Sequence, residues 1–192
     1  MPVDAQVTTN HDLEARSDLE LIAAINSGDA AAFEVLYFRY RDWVIGLAFR
    51  FTGDESAALD VMQETFLYVL KKFPGFSLTA NFKTFLYPAV RNLSIAARHK
   101  AARYQAAAGD LEQLENMPAP PLATPDGGDL EYFLARLPEE QREVILLRFV
   151  DGLSLSEIAA ATNIALGTVK SRLHNALQSL RQDERTRNFF EQ

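Results

Sequence analysis

Two carboxylates and one amide are spaced to share one face of a predicted helix. Asp60, Gln63 and Glu64 lie three and four positions apart, which is the spacing of neighbours on a helix surface. Paired carboxylates can act as general acid and base or bind a metal ion. No histidine accompanies this pair, and the chain contains no cysteine. We therefore expect no catalytic site, no metal and no cofactor, which leaves a solvated acidic face or a surface that docks another protein.

A second polar set, near the C-terminus, consists of cations and amides on two short predicted helices. Ser154 and Glu157 form a capping box that starts the first helix. Asn163 then stands where a turn requires a residue that tolerates a left-handed backbone. The second helix is predicted from Gly167 or Thr168. Its apolar residues recur at the spacing of one buried stripe: Val169, Leu173, Ala176, Leu177 and Leu180.

The other face of this second helix is polar, and no acidic residue occurs from Ile158 to Gln182. The cap, the turn residue, the stripe and the cationic face are together typical of a helix-turn-helix whose second helix enters the DNA major groove. An acid-free face can approach phosphates. The simpler alternative is a helical hairpin with a solvated polar face.

Composition narrows the class of protein. The 192 residues suffice for one large or two small domains, and 48% of them are hydrophobic. The lack of cysteine excludes disulfides, thiol catalysis and cysteine zinc sites, and it fits a reducing compartment. The N-terminus is polar and acidic, unlike a signal peptide, and no apolar run is long enough to cross a membrane. We therefore expect a cytoplasmic protein with no membrane insertion.

The net charge of −7 is unevenly distributed along the chain. Residues 1–20 hold five acids against one arginine, and residues 109–131 hold six acids and no base. Residues 90–104 hold four arginines or lysines and no acid. This stretch and the acid-free stretch Ile158–Gln182 are two local basic patches in an acidic chain. The overall negative charge should weaken non-specific DNA binding.

Capping signals divide the N-terminal half into helices. We predict a mobile tail over residues 1–16 and then a helix that a capping box of Ser17 and Glu20 starts. Asp29 and Asp54 can cap the next two helices. The third helix is predicted to bury one stripe and to end near its last member: Leu59, Met62, Phe66, Val69 and Phe73.

A Pro-Gly break then precedes a loop over Gly75–Asn81 and a further helix that runs into the basic patch. Aromatics interleaved with cations suit stacking on unpaired bases, although the same rings could equally form a core. The residues concerned are Phe76, Phe82, Phe85 and Tyr87, with Lys83, Arg91 and Asn92 beside them. Pro88 lies inside this helix and predicts a kink.

Three stretches occur together in a specific order: ALDVMQETF (Ala58–Phe66), FKTFLYPAVRN (Phe82–Asn92) and GTVKSRL (Gly167–Leu173). With them the chain resembles bacterial sigma factors of the extracytoplasmic-function group, within the sigma-70 family. The resemblance spans roughly residues 17–181, except for the middle. It implies an all-α protein of two small helical domains, the second a helix-turn-helix. It also implies a function in transcription initiation without any chemistry of its own: binding core RNA polymerase, directing it to promoters and helping to open the minus-ten region.

The resemblance further implies roles for the matched positions. The face formed by Asp60, Gln63 and Glu64 would meet the coiled coil of the largest polymerase subunit. The minus-ten element, single-stranded and duplex, would contact Phe76, Ser77, Leu78, Thr79, Ala80, Asn81, Phe82, Lys83, Asn92, Arg98 and Lys100. The minus-thirty-five element would contact Arg148, through a phosphate, and Thr168, Lys170, Ser171, Arg172, His174 and Asn175. Three positions depart from the family's usual pattern: Leu59, Phe85 and Pro88.

The expected domain organisation is a tail over 1–16, a first domain over 17–104, a linker over 105–128, a second domain over 129–184 and a tail over 185–192. The linker is expected to be flexible and acidic, because Asn116–Gly128 contains four prolines and two glycines. In the second domain Asp129 can cap a first helix, and Pro138 suits the first position of the next. That next helix is predicted to pack through Val144, Ile145, Leu147 and Phe149.

Two alternatives stay open. A conventional helix-turn-helix regulator with an N-terminal dimerisation or sensor domain would bind duplex DNA without polymerase, and the D-x-x-Q-E and F-x-x-x-L-Y segments argue against it. A helical adaptor would bind protein through its C-terminal domain and would tolerate the loss of Lys170 and Arg172. Many members of the family are held by an anti-sigma factor, so such a regulator is a further expected partner.

Overall fold

The computed structural model describes residues 13–107 and 134–182. In the first range, side-chain caps set where the first helices begin. The helices of the first range are α1 (Asp18–Asn26), α2 (Ala30–Thr52), α3 (Glu55–Leu70) and α4 (Phe82–Ala107). Ser17 and Glu20 cap α1 reciprocally, and the backbone N–H of Ser17 donates to the Glu20 carboxylate at 2.8 Å. Asp29 and Asp54 cap α2 and α3. These predicted starts are confirmed, since each cap depends only on residues two or three positions apart.

Helices α1 to α4 pack around one core. Helix α2 contacts α1, α3 and α4, and α3 also contacts α4. Burying an apolar side chain of ordinary size contributes roughly 1.5–3 kcal/mol, so packing rather than helix propensity holds these helices together. Fully buried residues from all four helices form this core: Leu21, Leu36, Val44, Val69, Phe82, Leu86 and Val90.

The buried face of α3 is rotated from the predicted stripe. The buried residues are Ala58, Val61, Met62, Thr65, Phe66 and Val69. Leu59 is 44% exposed, so its predicted place in the stripe is wrong. Ala58 takes the core-facing position instead, and the next residue is turned about 100° around the helix axis. The helix ends at Leu70 rather than near Phe73, because the residue before Pro74 avoids the helical backbone conformation.

Residues 13–16 are folded, although they belong to the predicted mobile tail over 1–16. Leu13 is 3% exposed. Arg39 of α2 donates to two backbone carbonyls just before α1, at 2.9 and 2.8 Å, and pairs with Asp18 at 2.7 Å. The prediction is therefore corrected for these four residues. The neighbouring sequence does not indicate that these residues are folded, because Arg39 lies 23 and 25 positions from the carbonyls to which it donates. The rest of the predicted tail lies outside the described residues.

The second range contains α5 (Glu139–Ile145), a π-helical turn (Leu146–Val150), α6 (Leu155–Thr162) and α7 (Leu166–Gln182). Helix α7 contacts both α5 and α6. Apolar residues that precede α5 join residues of α5 and α7 in one buried cluster: Leu134, Leu137, Ile145, Ala176 and Leu180. The C-terminal half of α7 is thereby anchored.

The π-helical turn interrupts the single helix predicted to follow Pro138, which itself precedes α5 as its N-cap. The backbone N–H of Asp151 donates to the carbonyl of Leu146, five positions earlier, at 3.0 Å. This wider turn shifts the register of the side chains that follow. Phe149 is consequently 62% exposed, so its predicted packing role is wrong. The other predicted packing residues are buried: Val144, Ile145 and Leu147.

All regular elements of the described residues are helices, which confirms the predicted all-α class. The chain divides into two compact units, residues 1–114 and 115–192. Helix α4 reaches Ala107, inside the predicted linker. The remainder of that linker, the cap at Asp129 and the tail over 185–192 lie outside the described residues. No described helix has both the length and the apolar character needed to span a membrane.

Candidate functional site

The turn between α6 and α7 has the predicted geometry. Asn163 adopts φ 55° and ψ 40°, in the left-handed region, and its backbone N–H donates to the carbonyl of Ala159. Asparagine tolerates this conformation better than most residues other than glycine. Ser154 and Glu157 bond reciprocally at the start of α6, at 3.3 and 2.8 Å. Helix α7 begins at Leu166, slightly earlier than predicted. Helix α6, this turn and α7 form the predicted helix-turn-helix.

Helix α7 buries one stripe and presents polar side chains on its other face. Val169, Ala176 and Leu180 are buried, and Leu173 packs against the same core. Because this face carries no carboxylate, it can approach a phosphate backbone without like-charge repulsion. Its exposed residues include most of those predicted to contact DNA: Thr168, Lys170, Ser171, His174 and Asn175.

Arg172 is the exception on this helix, because an acidic residue of α5 holds it. Its Nη2 lies 2.6 Å from Oε2 of Glu140, and its side chain is only 22% exposed. The pair ties α7 to α5 and neutralises part of the positive charge at this position. A DNA contact by Arg172 would have to compete with Glu140.

Arg148 lies on the π-helical turn, outside the helix-turn-helix. It is exposed, and its Nη1 donates to the carbonyl of Leu153 at 3.0 Å. That bond holds the guanidinium beside the segment that leads into α6. An arginine has five N–H donors, so the side chain keeps donors for a phosphate. The phosphate contact of Arg148 stays a prediction.

The loop between α3 and α4 is held at both ends by asparagine side chains. At its start, Asn26 of α1 makes three hydrogen bonds of 2.6 to 3.1 Å to the backbone of Gly75 and Phe76. At its end, Asn81 Oδ1 accepts from the backbone N–H of Lys83 at 2.9 Å, which caps α4. The exposed residues between these points are Ser77, Thr79 and Ala80. Asn26 was not among the predicted site residues, and no sequence signal reveals it, since its partners lie 49 and 50 positions away.

The aromatic residues beside this loop form a packed cluster. The rings of Phe76 and Phe85 are 4.6 Å apart, and those of Phe73 and Phe76 are 5.5 Å apart. Phe82 is fully buried, with its ring 5.8 Å from that of Phe85. We therefore correct the prediction that Phe82 contacts DNA, because a ring without exposed surface cannot stack on a base. The cluster supports the loop instead.

Helix α4 contains no acidic residue among its 26 residues. Asn92 and Lys100 are exposed, and Arg98 is half-buried. Lys83 is also half-buried, with its Nζ 5.5 Å from the centre of the Trp43 ring, within range of a cation–π attraction. The polar residues predicted to contact the minus-ten element therefore differ in accessibility, and the C-terminal half of α4 offers the more open cations.

The acidic face of α3 is larger and more apolar than predicted. Asp60, Gln63 and Glu64 are exposed, as a docking face requires. Apolar residues on the rows beside them are also exposed: Leu59 44%, Leu67 55%, Tyr68 39% and Leu70 47%. Among the described residues, no group of three or more histidines, cysteines or carboxylates could hold a metal ion. An apolar patch with a charged rim is typical of a protein-binding surface.

Two segments of the chain match known domain families. Residues 36–104 match the family described as Sigma-70 region 2, and residues 128–180 match the family described as Sigma-70, region 4. The ECF RNA polymerase sigma factor SigW of Bacillus subtilis (strain 168) is 30% identical over 177 residues, which cover 85% of this chain and 95% of SigW. This chain belongs to the extracytoplasmic-function group of the sigma-70 family.

Further sigma factors are similar to this one. The ECF RNA polymerase sigma factor SigL of Mycobacterium tuberculosis (strain ATCC 25618 / H37Rv) is 33% identical over 168 residues, covering 83% of this chain and 93% of SigL. The sigma factor RpoE from Bartonella quintana, solved in complex with the anti-sigma factor NepR, is 26% identical, with a TM-score of 0.59. That likeness covers 78% of this chain and 94% of RpoE.

In the present sigma factor, the region 2 match contains the acidic face, the loop and most of α4, and the region 4 match contains the helix-turn-helix. Asn26 precedes both matched segments.

Proposed function

We propose that this sigma factor binds core RNA polymerase, directs it to specific promoters and helps to open the minus-ten region. The observation that carries the proposal is the presence of region 2 and region 4 in one chain, each with its own acid-free helix. A conventional helix-turn-helix regulator needs only a DNA-binding domain such as region 4. Since the role is binding and positioning, we expect no catalytic step by this chain. It acts in the cytoplasm, where polymerase and promoter DNA are found.

Helix α3 supplies the polymerase-docking surface. Asp60 and Glu64 place two carboxylates on one exposed face, and Gln63 adds a hydrogen-bonding amide. The neighbouring exposed apolar residues bury area on binding, while the carboxylates select a basic partner surface. The proposed partner is the coiled coil of the largest polymerase subunit.

The loop Gly75–Asn81, here called the base-capture loop, receives one unpaired base of the minus-ten element. Taking a base out of a duplex costs about a few kcal/mol, so the receiving site must be formed in advance to recover that cost. Both ends of the loop are fixed by hydrogen bonds, while three of its residues are exposed. Asn92, Arg98 and Lys100 of α4 then follow the strand and the adjoining duplex.

Helix α7 reads the minus-thirty-five element in the major groove. Lys170, His174 and Asn175 are exposed on its acid-free face and can reach base edges, and Thr168 and Ser171 stand beside them. Arg148 binds a neighbouring phosphate. Arg172 is better placed to hold α7 against α5 than to read a base, because Glu140 engages its guanidinium.

An anti-sigma factor is proposed as the regulator of this chain. The similar sigma factor from Bartonella quintana was solved in complex with one. The exposed apolar residues of α3 and the cationic face of α7 are the surfaces that a regulator must cover to block polymerase and DNA together. The proposal predicts that such a regulator competes with core polymerase for α3.

Run-off transcription with purified core polymerase on genomic fragments tests the proposed function. Transcripts that start at defined sites are expected only when polymerase and this chain are both present. The matched control is polymerase alone on the same fragments. If the chain protects duplex DNA without polymerase and adds no specific transcript, it is a conventional regulator instead.

A further inference from the structure

We infer that Asn26 is a positioning residue for the base-capture loop and that it acts on promoter opening without contacting DNA. The inference rests on the proposed function of that loop. Asn26 is the last residue of α1, outside the segment that matches Sigma-70 region 2. It nevertheless makes three hydrogen bonds to the backbone of Gly75 and Phe76 at the start of the loop.

The amide of Asn26 is used on both of its sides. Its Oδ1 accepts from the backbone N–H of Gly75 at 2.6 Å and from that of Phe76 at 3.1 Å. Its Nδ2 donates to the carbonyl of Phe76 at 2.8 Å. Oδ1 thus faces two backbone N–H donors of the loop, and Nδ2 faces one backbone carbonyl. An amide side chain satisfies both because it carries an oxygen and an NH₂ group. Among short side chains, asparagine alone carries the acceptor and the donor on two separate atoms, whereas serine and threonine have one hydroxyl for both.

The point of attachment is itself fixed. Leu21, Ile22 and Ile25 of α1 are buried in the core, which prevents α1 from shifting. Just after Asn26 the chain is closed by backbone bonds, including one from the N–H of Asp29 to the carbonyl of Ala24 at 3.0 Å. The amide therefore projects from a rigid helix end. A loop bonded to it inherits a defined starting position.

The ring of Phe76 supplies the second constraint on the loop. It packs 4.6 Å from the ring of Phe85, while the backbone of the same residue is bonded to Asn26. The loop thus leaves Phe76 in one direction, and Asn81 sets where it rejoins α4. The exposed residues Ser77, Thr79 and Ala80 are held between two fixed ends. Loss of the Asn26 bonds frees one end and lets the loop sample positions that do not receive a base.

The test uses full-length protein with core polymerase and compares Asn26→Ala with Ser27→Ala. Ser27 is the adjacent exposed residue, and its hydroxyl bonds the carbonyl of Ala23 rather than the loop. Three quantities are measured for each variant: core binding, run-off transcription from a duplex promoter, and transcription from the same promoter already mismatched at the minus-ten region.

Loss of the Asn26 bonds is expected to lower duplex transcription by about tenfold. Core binding and transcription from the mismatched template should stay within about twofold of wild type, because the bonds leave the docking face untouched. Ser27→Ala should match wild type in all three.

Hydrogen exchange on the free protein gives an independent measurement. Asn26→Ala should speed exchange of the Gly75 and Phe76 amides while leaving α2 and α3 protected. Asn26→Asp keeps the oxygen that accepts from Gly75 and Phe76 but turns a second carboxylate oxygen toward the carbonyl of Phe76, so its exchange should also be faster than that of wild type. This variant also carries the test if the alanine variant does not fold.

Two results would overturn the inference. One is wild-type duplex transcription by Asn26→Ala. The other is an equal loss on duplex and mismatched templates, which would show a general defect rather than a defect in opening. If wild-type protein itself supports no promoter-specific transcription, the proposed function fails, and that outcome is distinguishable because it appears before any variant is compared.

Discussion

The two units present their candidate DNA contacts in different ways. In the second unit the contacts are side chains of one regular helix, α7, which follows a capped helix and a fixed turn. In the first unit they centre on a loop whose ends depend on Asn26 and Asn81 and whose start packs against aromatic rings of other segments. A helix face suits the regular groove of a duplex, whereas an extruded base requires a pocket built from several segments. Each architecture therefore matches the DNA that we propose it meets.

Within each unit the cations also differ in how accessible they are. Lys170 of α7 and Lys100 of α4 are exposed. Arg172 is paired with Glu140, and the Nζ of Lys83 lies over the ring of Trp43. A basic residue on an acid-free helix is thus a strong candidate for a DNA contact only where the rest of the fold leaves its charge accessible. Four changes test this comparison, from the largest expected effect to the smallest.

Replacing Ser77–Ala80 with glycine and serine at equal length should have the largest effect. The ends of the loop stay in place, but the residues offered to the base are lost. If the loop recovers the cost of extruding a base, about a few kcal/mol, duplex transcription should fall by about a hundredfold or more. Permanganate footprinting of unpaired thymines measures the opening directly.

The control for the loop replacement is a template mismatched at the minus-ten region, on which activity should be retained. Core binding should also be unchanged, because the α3 face is intact. Normal permanganate reactivity with the replaced loop would show that base capture resides elsewhere in the first unit, and the contrast between loop and helix would then be lost.

Reversing Asp60 and Glu64 to lysine should weaken core binding by about a hundredfold, because like charges facing each other across an interface cost several kcal/mol. Both residues are exposed, so stability should change little. The matched control reverses Glu34 and Asp42, two exposed acids of α2, and gives the same change in net charge. Competition binding to core polymerase measures the effect. Equal losses for both double variants would mean that net charge, not the α3 face, governs docking.

How much of each unit could be predicted from the sequence depends on whether its interactions are local or long-range. The cap at Ser154, the turn at Asn163 and the stripe of α7 depend on neighbours a few positions away, and all three were predicted. Asn26 and Arg39 act on segments more than 20 positions away, and neither role had a local signal. Phe149 was misplaced because the π-helical turn changes the register after Leu146. The burial of Phe82 likewise depends on how four helices pack, which aromatic spacing does not reveal.

Changing Lys170 to alanine should lower binding to the preferred minus-thirty-five duplex by about tenfold and alter base preference, since a good base contact contributes ~1–3 kcal/mol. Arg172→Ala should leave base preference unchanged, because Glu140 engages that guanidinium at 2.6 Å. Glu140→Gln removes the carboxylate that competes for Arg172, so it should leave base preference unchanged and raise affinity for all sequences, whereas Arg172→Ala should not raise it. Gln178, exposed on α7 beyond the predicted contacts, provides a control substitution to alanine. Binding selections on randomised duplexes measure the preferences. A shifted preference for Arg172→Ala matching that of Lys170→Ala would assign both residues to readout.

Arg148 should give the smallest effect and a distinct signature. A phosphate contact carries no base information, so Arg148→Ala should weaken all sequences alike by a few-fold and reduce the slope of log affinity against log salt by about one. The side chain also bonds the carbonyl of Leu153, and loss of that support alone would lower affinity without changing the salt slope. Arg148→Lys separates the two causes, because lysine keeps the charge but lacks the planar set of donors. A salt slope restored by lysine assigns Arg148 to a phosphate. A slope that stays at the wild-type value in both variants assigns it to the support of α6, and the second unit would then contact DNA through α7 alone.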